Sequence, residues 1–237
     1  MMGKGTQTLL KAAQAGDVAL LTRLLEGGAS VGEVDQERSG VLHRAAREGN
    51  ADALRLLLGW KADANARDRR QVSPLHEACK NGHVACVALL LGCKADPNSK
   101  KMNSSVTNGG FTPLHFAASR GQLACMKALV EAGGDVFGGD RAGECPLHVA
   151  VRCDSLETVC WLLQQSLSPL VSSHNGRTPL HVAALHGRLH CAQALLDAAG
   201  SRAEELLLKG MHAKRAFQPD WTPDRLPRLK ASGKVET

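Results

Sequence analysis

The chain has no tyrosine, and its aromatic residues come to 3%, four Phe and three Trp in 237 residues. Any core must therefore be aliphatic and alanine-rich, a composition that suits thin helices packed closely together. Stacking aromatics interleaved with basic side chains are also missing, so no nucleic-acid partner is expected. Met1-Met2-Gly3-Lys4 leads into no apolar run, and neither a signal peptide nor a membrane span is read. None of the eight cysteines (Cys79, Cys86, Cys93, Cys125, Cys145, Cys153, Cys160, Cys191) forms a Cys-x-x-Cys pair. Without a secretory signal, the expectation is reduced thiols and a cytoplasmic or nuclear location. Charge of one sign is scarce as well. The formal net charge is +6, with 21 basic and 18 acidic side chains in residues 1–200 and 8 and 5 in residues 201–237. That mild excess favours acidic partners.

What the chain does have is a repeat. Gly110-Phe111-Thr112-Pro113-Leu114-His115-Phe116-Ala117-Ala118-Ser119-Arg120-Gly121 contains Thr-Pro-Leu-His-x-Ala-Ala-x-x-Gly, a pattern that returns along most of the sequence. Its histidine slot is filled by His43, His76, His115, His148 and His181, at intervals of 33, 39, 33 and 33 residues. A faint first copy runs from Leu9 to Gly16. The unit has a physical logic. Thr112 and Thr178 can cap a helix with their hydroxyls, and Pro113 and Pro179 suit its first turn. Alanines allow close packing, and Gly16, Gly49, Gly82, Gly121 and Gly187 can take the left-handed turn that ends the helix. A second helix follows with an apolar stripe such as Val87, Leu89, Leu90 and Leu91. Ala62-Asp63-Ala64-Asn65 and Ala95-Asp96-Pro97-Asn98 then lead into a connecting finger.

A 33-residue period carrying this motif resembles the ankyrin-repeat family. The resemblance spans roughly Thr8 to Gly200 and implies an all-α solenoid of about six helix-turn-helix repeats with β-turn fingers. Residues 1–38 read as a degenerate N-terminal capping repeat, and residues 39–200 as the repeats proper. In the second unit Gly40-Val41 replaces Thr-Pro, so its helix is expected to start less sharply. In the fifth, Cys145 replaces the capping Thr and Asp154 the turn glycine, which marks it as the weakest internal unit. The six extra residues fall near 99–109, in the finger before the fourth motif. Residues 201–237 are read as a short helix, Ala203 to Lys209, followed by a disordered basic tail anchored by Trp221.

The chemistry expected of these residues is structural. His76, Cys79, His83 and Cys86 have spacings that superficially suggest zinc, but His76 is the motif histidine, to which the resemblance assigns hydrogen bonds within the scaffold. No metal or cofactor is expected. Cys86, Cys125, Cys160 and Cys191 recur on the second helix and read as packing, whereas Cys153 faces the groove. The chain shows no phosphate loop, nucleophile elbow or kinase-type motif set, so it is read as a non-enzyme.

The resemblance further implies a concave groove for a protein partner, lined by finger tips and the ends of the first helices. Transferred to this chain, the helix-end pairs are Arg47/Glu48, Lys80/Asn81, Ser119/Arg120, Arg152/Cys153 and Leu185/His186. The fingers add Arg69, Arg70, Lys100, Lys101, Arg141, His174 and Arg177, with Phe111 and Phe116 beside the insertion. A central band of Arg and Lys would capture carboxylates or phosphorylated side chains, in a protein expected to be monomeric. The resemblance also implies that Asn65 is a possible hydroxylation site. Ser73 to Cys79 and His83 to Val87 resemble the ankyrin and SOCS-box subfamily, which implies a substrate-recognition subunit of a cullin-type ubiquitin ligase. Its box would have to lie in residues 201–237. That tail lacks the Leu-x-x-x-Cys pattern of an elongin-binding helix, and Leu226-Pro227-Arg228-Leu229-Lys230 is a faint echo of the cullin-contacting part.

Overall fold

A computed structural model describes residues 4–102 and 109–200. The expected helix at 203–209, the tail with Trp221 and the middle of the insertion lie outside the described residues. Twelve helices occur among those residues, in six consecutive pairs. They are α1 (Lys4–Ala15) and α2 (Val18–Glu26), α3 (Val41–Glu48) and α4 (Ala51–Gly59), α5 (Pro74–Asn81) and α6 (Val84–Gly92), α7 (Pro113–Ala118) and α8 (Leu123–Glu131), α9 (Pro146–Arg152) and α10 (Leu156–Gln164), and α11 (Pro179–His186) and α12 (Leu189–Ala199). Each first helix packs on the first helix of the next pair, from α1 to α11, and the second helices form a parallel layer behind them. Leu54, Leu57, Leu75, Leu90, Leu114, Met126, Leu129, Leu147 and Leu162 are fully buried between the layers, with Ala45, Ala46, Ala78, Ala117, Ala118 and Ala150 where helices approach. No helix among the described residues is long and apolar enough to cross a membrane.

The motif histidine ties each pair to its neighbours. In repeats two to five the backbone N–H of the capping residue donates to Nδ1 (Gly40 to His43, Ser73 to His76, Thr112 to His115, Cys145 to His148) over 3.1–3.2 Å. Nε2 then lies 2.9–3.2 Å from a finger carbonyl of the next repeat, at Val72, Phe111, Glu144 and Arg177. A ring that accepts at Nδ1 and donates from Nε2 is the neutral Nε2–H tautomer. Burial pushes His76 down to about 3 and His115 to about 4, and lowers His43 and His148 for the same reason. This staple also corrects the expectation for Gly40-Val41. Helix α3 begins at Val41, the slot of the prolines, because the Gly40 N–H makes the same bond as the other caps. At Thr112 the hydroxyl turns to His115 Nδ1 (2.8 Å), whereas Thr178 also accepts from the His181 N–H.

The turn after the first helix is closed from the following repeat. Gly49 has φ +81°, and a Cβ there would stand 2.5 Å from His83 Nδ1. His83 Nε2 in turn bonds the Arg47 carbonyl at 3.0 Å. In repeat five Asp154 adopts the same left-handed turn at φ 60°. Its partner slot holds Arg188, whose Nη1 lies 3.7 Å from the Asp154 carboxylate while its Nε donates to the Arg152 carbonyl at 3.2 Å. The substitution at 154 is therefore matched by one at 188.

The fingers are short hairpins. Asp35, Asp68, Asp140 and Ser173 each donate their N–H to a carbonyl four residues on, and each aspartate also accepts two N–H groups of its own turn at Oδ1. Lys101 occupies this slot in the third finger, between the third and fourth repeats. Its N–H donates to the Phe111 carbonyl at 2.8 Å and its carbonyl accepts from the Gly110 N–H at 2.7 Å, so the six extra residues are inserted between Lys101 and Gly110. Without an aspartate to gather the turn, this finger can be long.

One cysteine expectation fails. Cys86, Cys125 and Cys191 are buried, but Cys160 is exposed. It lies two residues beyond their slot, on another side of α10, and the slot itself holds Thr158, which is 1% exposed. Burial pushes the Cys125 thiol up to about 11 and Cys191 to about 12, where thiolate chemistry is suppressed.

Candidate protein-binding groove

The ends of the first helices and the tips of the fingers are brought onto one side of the stack by the staples and hairpins described above. The N-terminal part of this face is self-paired. Arg44 contacts Asp35 at 2.6 Å. Arg47 reaches across to Glu77 with bonds of 2.9 and 3.2 Å. Glu77 is 5% exposed; burial alone would raise its pKa, but the Arg47 hydrogen bond and charge hold it below the usual range. That carboxylate carried no signal in the sequence, because its partner lies 30 residues away.

The centre is different. Lys80 and Lys101 are half-buried and Arg69, Arg70 and Arg120 are exposed. Among the described residues, no ion pair engages Arg69, Lys80, Lys101 or Arg120, and Arg70 meets the buried Asp68 only at 3.7 Å. Lys101 Nζ sits 5.8 Å above the Phe116 ring. Burial, then the charges of Arg70 and Lys80, lower the Lys101 ammonium. Positive charge is thus concentrated above an aromatic floor, with the nearby acids already spent on Arg47 and on turn N–H groups. The geometry suits a carboxylate or phosphate lying across Arg70, Lys80 and Lys101.

Several expected groove residues have other work. Phe111 is 5% exposed; it stacks on His115 with centroids 5.0 Å apart and meets Phe116 edge-on at 5.9 Å. It belongs to the core, and only Phe116 reaches the groove. Lys100 donates to the Gly139 carbonyl of the next finger at 3.2 Å. Arg152 contacts Glu144 at 2.7 Å. Ser119 bonds the Phe116 carbonyl, and the Asn81 amide bonds the Glu77 carbonyl. Arg141, Arg177 and Cys153 are exposed, and the C-terminal end presents Leu185 (50% exposed) beside His186. Asn65 is exposed, yet both ends of its amide are used, Nδ2 on the Lys94 carbonyl at 3.0 Å and Oδ1 on the Asp96 N–H at 2.9 Å.

Comparisons with known proteins agree with this fold. The family description for ankyrin repeats in three copies matches residues 9–101 and 100–173, and that for a single ankyrin repeat matches residues 175–210. Among solved structures, the human ASB11 ankyrin repeat domain is similar at a TM-score of 0.73 and 27% identity, over 81% of this chain and 84% of that one. No curated protein matches the chain in a sequence comparison.

Proposed function

Because the chain belongs to the ankyrin-repeat family, whose arrays serve as protein–protein interaction scaffolds, we propose that it is a non-catalytic adaptor that holds an acidic or phosphorylated segment of a partner protein in its concave groove. The observation that carries this reading is the cluster of Arg70, Lys80 and Lys101, with Lys101 over Phe116, whose neighbouring carboxylates Asp68 and Glu77 are already bonded to turn N–H groups and to Arg47. Fluorescence anisotropy of a labelled oligoglutamate peptide tests it. Binding is expected to weaken with salt, and Lys80→Glu with Lys101→Glu should reduce affinity by about tenfold or more, corresponding to about 1.4 kcal/mol, with unchanged circular dichroism. Equal binding by the double variant would remove the proposal.

The similarity to the ASB11 domain supports a second reading, a substrate-recognition subunit of a cullin-type ubiquitin ligase. On that reading the groove selects the substrate and residues 201–237 recruit the ligase. Pulldown with the full chain separates the two: elongin and cullin recovery supports the ligase role, and their absence leaves the scaffold alone. Hydroxylation of Asn65 belongs with these proposals and predicts an oxygen-mass shift on the peptide that carries it.

A further inference from the structure

Each position of an array can be compared with the same position in its own neighbours, and one slot stands out. After each second helix the chain turns through a left-handed residue, at Lys61, Lys94, Gly133 and Ser166 (φ 62°, 62°, 88° and 62°). In two of the following turns an asparagine clasps the next repeat. Asn65 donates to the Lys94 carbonyl and accepts from the Asp96 N–H at 3.0 and 2.9 Å. Asn98 donates to the Gly133 carbonyl and accepts from the Asp135 N–H at 3.0 and 2.8 Å. One primary amide thus satisfies a carbonyl and an N–H two residues apart.

Phe137 occupies the same slot in the next repeat. Its own turn is unchanged, since its N–H bonds Asp135 Oδ1 at 2.9 Å, as Asn65 bonds Asp63 and Asn98 bonds Asp96 at 2.9 Å. By the same offsets, the backbone pair it faces is the Ser166 carbonyl and the Ser168 N–H. Both serines are exposed, and among the described residues neither of those groups has a hydrogen-bond partner. A phenyl ring cannot form the clasp, and Phe137 is 60% exposed, so the substitution loses two hydrogen bonds without burying the ring. At the start of the array Gly32 leaves the equivalent pair open too, but has no side chain of its own to set beside it.

We propose that Phe137, Ser166 and Ser168 form a second docking site, which accepts an extended protein segment presenting an Asn or Gln side chain next to an apolar one. The incoming amide supplies the missing clasp, and the neighbouring apolar side chain covers the Phe137 ring. The occupant follows from the two filled clasps, where the group seated on this backbone pair is a primary amide. The site lies on the turns after α8 and α10, whereas the basic band lies on the finger tips and first-helix ends. Its failure leaves the groove reading standing.

The test uses the full chain and 3-phenylpropanamide, a probe that joins a primary amide to an apolar ring. On millimolar titration followed by nitrogen–proton correlation spectra, the Ser168 amide signal is expected to move in a saturable way. Phe137→Asn should abolish that response, because the protein then supplies its own amide, and should also raise the melting temperature. Phe137→Ala should weaken the response without the thermal gain. An unmoved Ser168 signal, a Phe137→Asn protein that responds like the parent, or one that melts no higher would each overturn the proposal.

Discussion

Acid should weaken this array well above the range in which carboxylates titrate. In the folded protein His76 and His115 remain neutral down to about pH 3 and 4 because they are buried; unfolded, each protonates near its ordinary value of 6.5. Between those limits the unfolded chain binds more protons than the folded one, so stability is complete above the ordinary histidine range and falls as pH drops below it. Protonation would set a new Nδ1–H against the capping N–H of Ser73 or Thr112, donor facing donor, and release the first turn of the helix. From pH 7.5 to 5.5 each of the two should lose about 1.4 kcal/mol, together about 3 kcal/mol, and His43 and His148 act in the same direction. Urea unfolding followed by far-ultraviolet circular dichroism at the two pH values measures this directly. His115→Asn removes one titrating ring, so that variant, though less stable, should show a pH difference smaller by about 1.4 kcal/mol. Coincident midpoints for the parent, or an undiminished difference in the variant, would refute the neutral-staple account.

Other perturbations follow from the same contacts. Gly49→Ala combines a left-handed φ with a Cβ set against His83, and should cost about 2–3 kcal/mol in a chemical melt. Glu77→Gln leaves Arg47 without its buried partner and should cost about 1–2 kcal/mol, less than a fully buried pair because Arg47 is partly exposed. Since the Glu77 pKa is held low, this contribution should persist at neutral pH and disappear in acid below the ordinary carboxylate range. Arg188→Ala should destabilise the last two repeats more while Asp154 is present than without it, because the bond from Arg188 Nε to the Arg152 carbonyl is lost in either case. In an Asp154→Gly background, amide exchange around α11 should respond to the Arg188 change less than in the parent.

The groove shows where reading a sequence stops. The resemblance places Lys80, Lys101, Arg70 and Phe116 along the groove, and the structure sets the Lys101 ammonium over Phe116 and within reach of the Arg70 and Lys80 charges. The same transfer puts Lys100, Arg152 and Phe111 in the groove, yet Lys100 and Arg152 are engaged by Gly139 and Glu144, and Phe111 is buried against His115. The transfer assigns a slot, but whether a neighbour occupies that side chain depends on residues in another repeat. Cys160 shows how narrow the margin is: two residues beyond the slot places it on the surface instead of in the core.

By itself the sequence determined the period, the helix starts at Pro74, Pro113, Pro146 and Pro179, the left-handed turns at Gly49, Gly82 and Gly187, and the location of the insertion, because each depends on local backbone chemistry within a few residues. Only the tertiary structure decided which cations are left unpaired, that Asp154 is matched by Arg188, and that Phe137 stands where two other repeats use an asparagine to clasp the next. Those outcomes rest on contacts between residues about 30 positions apart, which form only when one repeat is stacked on the next.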